Sequence, residues 1–294
     1  MNLTPMPIIV GAPRSGTTLL RLMLDSHPDL AIPPETGFFL GALDLAKSNN
    51  VSAQQLVDMM TQYPENAPNW ADFQIPAEDL SASVKNITPF DIAEGLRCFY
   101  RLYAQRFGKS RWGDKTPDYS LHIQAIGEML SEAHFIHIIR DGRDAALSLR
   151  STWFAPSQDM GILAQYWHDR VFSARKAGRQ TAHYLEIFYE DLILRPAANL
   201  QKICHFLSLD FHPDMLNYHE RAPARLKEHH ARAWKDGSFE VSHEQRLQQQ
   251  HMTTQKLSLD RVVVWKHAMT TGEVQQFEQV AGSLLSELGY PVDK

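Results

Sequence analysis

The sequence predicts an α/β fold: a parallel sheet flanked by helices, with a P-loop-like phosphate cradle after its first strand. Three observations carry that prediction. The stretch PIIVGAPRSGTTLLRLML, residues 7–24, reads as a buried strand, a glycine loop and the start of a helix. The strand-like runs are continuously apolar, as in strands covered on both faces. Helical stretches separate those runs along most of the chain, which is the pattern of a parallel sheet.

In chain order, residues 8–10 form the first strand and residues 17–26 the helix behind its loop. Residues 41–86 contain helical pieces and the turn-rich YPENAPNWADF, and read as a helical insertion beside the site. Thr88 as cap and Pro89 in the first turn open a helix to about residue 107. A weak second strand lies near residues 110–112, a helix at 122–130, the third strand at 134–139 and a helix at 144–151. Helices at 161–177 and 196–206 bracket the fourth strand, 184–188. Residues 211–258 are rich in His, Gln, Lys and Arg with little apolar periodicity, and read as a long polar surface excursion or mobile lid. Residues 272–288 form a closing amphipathic helix, stopped by Gly289 and Pro291. No Gly/Ser linker interrupts the chain, so residues 1–294 are read as one domain.

Composition narrows the function classes. The formal net charge is −5, which gives no support to bulk binding of nucleic acid or anionic membrane but leaves room for a local basic pocket. Two cysteines, Cys98 and Cys204, are too few for a disulfide framework and pack as small apolar residues. No run approaches the roughly 18 apolar residues of a membrane span. Residues 1–7 carry no basic region followed by an apolar run, so a cytoplasmic protein is expected. Fourteen histidines form no HExxH and no Cys/His cluster, so no metal is expected. No GxSxG elbow occurs.

Chemistry begins in the glycine loop. Gly11 and Gly16 have the G-x-x-x-x-G spacing, but Thr17 stands where an ATPase or GTPase loop carries lysine. The unpaired amides of a helix N-terminus favour an anion. Ser15, Thr17 and Thr18 can add hydroxyls, and Arg14 a forked cation. In FIHIIRDGRDAALSL, residues 135–149, an apolar strand delivers Arg140 at its end, where an open sheet places its ligand. Ser148, eight residues on, can converge with Arg140 on one phosphate; alternatively Arg140 pairs with Asp144 on the surface. Glu35, behind the stiff Pro33-Pro34, can take a proton from an acceptor hydroxyl, although most glutamates are simply solvated. Lys115 in RWGDKTP can stabilise charge on a leaving phosphate, or pair with Asp114 or Asp118.

GAPRSGTTLLRLMLDSHPDL, residues 11–30, resembles the donor loop of sulfotransferases that use 3′-phosphoadenosine 5′-phosphosulfate (PAPS), closest to the tyrosylprotein sulfotransferase branch and its bacterial relatives. The resemblance implies a sulfotransferase fold in which Arg14, Ser15, Gly16, Thr17 and Thr18 hold the 5′-phosphosulfate end. It implies that Arg140 and Ser148 hold the 3′-phosphate, that Glu35 beside Thr36 is the catalytic base, and that Lys115 and Arg14 stabilise developing charge. Tyr189 in IFYEDLILRP, residues 187–196, aligns with a nucleotide-contacting tyrosine, and Lys256 with a lysine that meets the donor. The R-K-G-x-x-G-D-W-K motif of cytosolic small-molecule sulfotransferases is absent; Trp234-Lys235-Asp236-Gly237 lacks its spacing. Gly37, followed by Phe38-Phe39, stands where the tyrosylprotein branch has an arginine that holds acidic peptides.

The implied function is therefore transfer of a sulfuryl group from PAPS, without a metal, to a hydroxyl on a small molecule, sugar, lipid or peptide. Two alternatives stand beside it: an ATP-dependent nucleotide or small-molecule kinase, and a non-catalytic nucleotide-binding protein.

Overall fold

The computed structural model describes residues 4–48 and 50–292. Residues 1–3, part of the stretch read for a leader, lie outside the described residues. Eight strands occur among the described residues: β1 (Met6–Val10), β2 (Leu30–Ala31), β3 (Arg111–Trp112), β4 (Asp114–Lys115), β5 (Ala133–Ile139), β6 (Tyr184–Phe188), β7 (Arg232–Ala233) and β8 (Glu240–Val241). The central sheet runs β4–β1–β5–β6 and is parallel throughout. From β1 the chain goes out to β4 on one side and returns to β5 on the other. The sheet therefore has its switch point at the end of β1, where the glycine loop stands.

Register decides which side chains meet. Ile9 pairs with Lys115 on one neighbour and Ile136 on the other, while Ile8 pairs with Asp114 and Phe135. Successive strand residues point to opposite faces, so Ile9, Lys115 and Ile136 share one face and Ile8, Asp114 and Phe135 the other. Ile9 and Ile136 join Leu20, Leu24 and Ile203 in one fully buried cluster beneath helix Thr17–Asp25. Ile8 and Phe135 join the opposite cluster with Phe38, Phe39, Phe99 and Tyr100. A third cluster packs helices Gly142–Arg150, Met160–Gly178 and Thr271–Glu287 around Trp167 and Phe277, whose rings lie 6.0 Å apart.

Several expectations are corrected. The weak second strand is two strands: Arg111–Trp112 pairs with Leu30–Ala31 in a separate ribbon, and Asp114–Lys115 joins the central sheet. Gly113, between them, permits the crossing, because a Cβ there would lie 2.7 Å from the Pro7 carbonyl. The long helix after the insertion spans Ile92–Gln105 and is capped by Asp91, which accepts from Glu94 N, so Thr88 is not its cap. A short carboxylate at the cap satisfies the free amides better than a threonine three residues upstream. The segment 211–258 is not a bare excursion. It holds helix Tyr218–Leu226, the β7–β8 hairpin and helix His243–Gln250. Polar anchors replace an apolar stripe there: buried Arg225 bonds both Asp25 oxygens at 2.7 and 3.1 Å, and Arg246 grips Asp72.

No helix among the described residues is long and apolar enough to cross a membrane. Cys98 and Cys204 are both free and buried.

Candidate active site

All four central strands deliver site residues at their carboxyl ends. After β1 the loop turns through Arg14, at φ +69°, and Gly16, at φ +98°. A left-handed arginine costs about 1–2 kcal/mol, and Arg140 offsets this by donating to the Arg14 carbonyl at 3.0 Å. Gly16 then caps helix Thr17–Asp25, whose first turn carries no acidic residue to compete for its free amides. Only glycine fits, since a Cβ would lie 2.5 Å from the Tyr189 ring. Gly16→Ala is therefore expected to destabilise the loop by about 1–3 kcal/mol and to weaken 3′,5′-ADP binding in calorimetric titration. Unchanged affinity would remove this loop from the donor site.

Arg140 follows β5 and Ser148 lies two turns along helix Gly142–Arg150. Ser148 Oγ accepts from Arg14 Nε at 3.1 Å, so the two phosphate motifs adjoin. The Arg140 guanidinium lies 4.6 Å from the Tyr189 ring and donates to Arg261 O at 2.6 Å. Asp144 forms only a long ion pair with it, buried rather than on the surface. That carboxylate accepts from the amides of Val263 and Trp265, both at 2.8 Å, and stands 3.9 Å from Arg140. Burial and the neighbouring Arg140 push the Arg14 guanidinium below its ordinary pKa.

These side chains wall a cavity of about 810 Å³, with Arg14, Thr17, Thr18, Arg140, Ser148 and Tyr189 on one side and Lys256, Arg261 and Gln249 on the other. Ser15 differs from expectation: it is fully buried under the loop rather than lining the cavity. Arg140 Nε, on a residue that lines the cavity, is buried without a protein partner, which fits a bound phosphate group better than a bare turn. Lys256 lies exposed at the rim. Sequence reasoning missed Gln249, because the polar run around it carries no periodicity, and Arg261, because no motif marks it.

Glu35 and Lys115 meet on the far side of Thr18. Lys115 Nζ forms an ion pair with Glu35 Oε1 and donates to Thr18 Oγ1 at 3.3 Å. Strand alternation sends Asp114 the other way, so it does not pair with Lys115. Asp114 accepts from Thr36 Oγ1 and Tyr100 at 2.6 Å each and from Thr116 at 2.9 Å, which fixes the Glu35-Thr36 backbone in place. Asp118 pairs with Arg170 instead. Glu35 is 53% exposed although protein surrounds it, as for a group lining an open cleft, whereas Lys115 is 4% exposed. Burial pushes the Glu35 carboxyl upward, but Lys115 outweighs it and holds the pKa below its usual value. Burial lowers the Lys115 pKa against the same pairing.

Phe38 and Phe39 are fully buried core residues and line no cleft. His229, expected in a solvated loop, is only 13% exposed and bonded to Arg246. Among the described residues no group of His, Cys, Asp or Glu is arranged to hold a metal.

A model described as the sulfotransferase family matches residues 5–214. The chain belongs to the sulfotransferase family. This sulfotransferase is 28% identical to nodulation protein NoeE of Sinorhizobium fredii over 158 residues, 53% of this chain and 34% of that protein. It is 23% identical to protein-tyrosine sulfotransferase A of Caenorhabditis elegans, over 98% of this chain and 67% of the relative. The chain thus spans one third to two thirds of these two relatives. Its fold is that of the sulfotransferase domain from the Synechococcus olefin synthase (TM-score 0.63, 23% identity, 99% of this chain and 97% of that one). A mouse sulfotransferase complexed with PAP has the same fold (TM-score 0.50, 16% identity, 97% and 86%).

Proposed function

We propose that this sulfotransferase uses PAPS as donor and a hydroxyl compound as acceptor, with the residues named above in those roles. The observation that carries this reading is the junction of two anion sites, Arg14 Nε on Ser148 Oγ at 3.1 Å, with a carboxylate–lysine pair one hydroxyl away. A donor with phosphate at both ends needs two such sites; ATP needs one. The donor supplies the sulfuryl group and a phosphate leaving group.

Glu35 takes the acceptor's proton as its oxygen attacks sulfur, while the bond from sulfur to the bridging oxygen breaks. Lys115, within reach of both Glu35 and Thr18, offsets negative charge on the departing phosphate. Arg14 does the same for the sulfuryl oxygens, from within the loop. Arg140 and Ser148 hold the far phosphate, and Tyr189 and Lys256 contribute to the nucleotide site. Most of the catalysis is positioning and electrostatics. A cytoplasmic location is part of this proposal, and the free, buried Cys98 and Cys204 are compatible with it.

The kinase alternative is not favoured, because Thr17 replaces the loop lysine. Thermal unfolding separates the two. At a hundredfold excess over Kd, 3′,5′-ADP is expected to stabilise the protein by about 2.7 kcal/mol, and ATP at the same concentration far less. Equal stabilisation would overturn the assignment of the donor.

A further inference from the structure

A third cation stands beside Glu35, on a segment that the donor site does not use. The turn 63–69 packs on Gly37, whose φ of +70° and closeness to Tyr63 leave no room for a Cβ. Asn69 Nδ2 donates to the Glu35 carbonyl at 2.8 Å. The β7–β8 hairpin is tied to the same turn: Lys235 N donates to Asn66 O at 2.8 Å, and Arg232 Nε to Ala67 O at 3.0 Å. That bond occupies one of the five N–H donors of the guanidinium. Its remaining donors meet no protein acceptor, and no carboxylate lies within ion-pair distance of Arg232 among the described residues.

The nearby acids are already engaged. Glu35 is held by Lys115. Asp72 accepts from Arg246 at 2.7 and 3.0 Å and from the His230 amide at 2.9 Å. His229 adds no negative charge: its Nδ1 accepts from Arg246 at 2.8 Å, and burial beside several cations keeps the ring neutral. Arg232 is half-buried and close enough to Glu35 to help hold its carboxyl ionised. It lines no part of the donor cavity. A partly desolvated guanidinium with free donors, whose nearest carboxylates are already paired with Lys115 and Arg246, favours an anion from outside the chain.

We propose that Arg232 binds an anionic group, a carboxylate or a phosphate, carried by the acceptor itself. The hydroxyl that is sulfated then belongs to an acidic molecule, whose charged group docks between the hairpin and the turn 63–69. Arg232 sets acceptor specificity and takes no part in bond making. The inference rests on the reading of Glu35 as the acceptor side of the site.

Binding to the enzyme saturated with 3′,5′-ADP tests it without turnover. Phenyl phosphate, phenylacetate and uncharged benzyl alcohol serve as probes, titrated calorimetrically into wild type, Arg232→Gln and Arg232→Lys. One or both anions are expected to bind wild type at least about tenfold more tightly than Arg232→Gln. Arg232→Lys should fall between them, and benzyl alcohol should not discriminate. The stronger anion identifies the group as phosphate or carboxylate. Equal affinity of both anions for wild type and Arg232→Gln overturns the proposal, as does binding no better than benzyl alcohol. If 3′,5′-ADP fails to bind, the donor assignment has failed instead; the same comparison made without nucleotide still decides the role of Arg232.

Discussion

Glu35→Gln is expected to lower kcat by about 10²–10⁴-fold, the usual contribution of a positioned general base, while leaving 3′,5′-ADP affinity nearly unchanged. The substitution keeps the shape of the side chain and one acceptor oxygen but removes the proton sink. Lys115 loses its ion pair, yet its contact with Thr18 remains available. Single-turnover transfer of labelled sulfate from PAPS checks the first half of the expectation, and calorimetric titration the second. Full activity in the variant would remove Glu35 from the base role.

The pH dependence gives the same residue a second signature. Burial raises the Glu35 carboxyl pKa, Lys115 overcomes that effect, and the net value lies below the ordinary 4.5. The base is therefore ionised at neutral pH, and activity is expected to fall only as pH drops through a value below 4.5. That acid limb should vanish from the residual activity of Glu35→Gln.

Lys115→Met is expected to cost about 10²–10³-fold in kcat, as for removal of one preorganised donor to a developing oxyanion. Methionine approximates the length of the lysine stem, so the place beside Ile9 in the sheet should survive and the melting temperature should move little. The variant also alters Glu35. With its main counter-charge gone, burial is opposed mainly by Arg232 and Arg246, so the acid limb of the pH–rate profile should move upward. On the alkaline side, burial lowers the lysine pKa beneath 10.5, so wild-type activity should decline before free lysine would titrate, and this limb should disappear in the variant. A kcat like that of wild type, with both limbs in place, would show that Lys115 only supports Glu35 structurally.

Much of the donor side is legible in the sequence because it is local. Gly11, Arg14 and Gly16 lie on one strand–loop–helix unit, and Arg140 and Ser148 on another. Each unit is short enough for spacing alone to place its side chains. Only the central sheet brings the two together, by pairing β1 with β5 in register. The split of residues 111–115 between two sheets was not legible, because two-residue strands carry no periodicity. The cap at Asp91 was hidden by Thr88-Pro89, an equally good opening signal placed too early.

The sequence by itself determined the α/β class, the phosphate loop, the displaced lysine position and the identities of Glu35 and Lys115 as candidates. The tertiary structure decided their relationships. Register put Lys115 on the face of Thr18 and turned Asp114 toward Thr36 and Tyr100. Packing of the hairpin on turn 63–69 brought Arg232 to Glu35. The physical reason is the range of the forces involved. Backbone geometry and apolar burial repeat with the period of a helix or strand and leave a pattern along the chain. Ion pairs between distant segments have no period, and the folded chain alone fixes which charges are neutralised and which are left for a ligand.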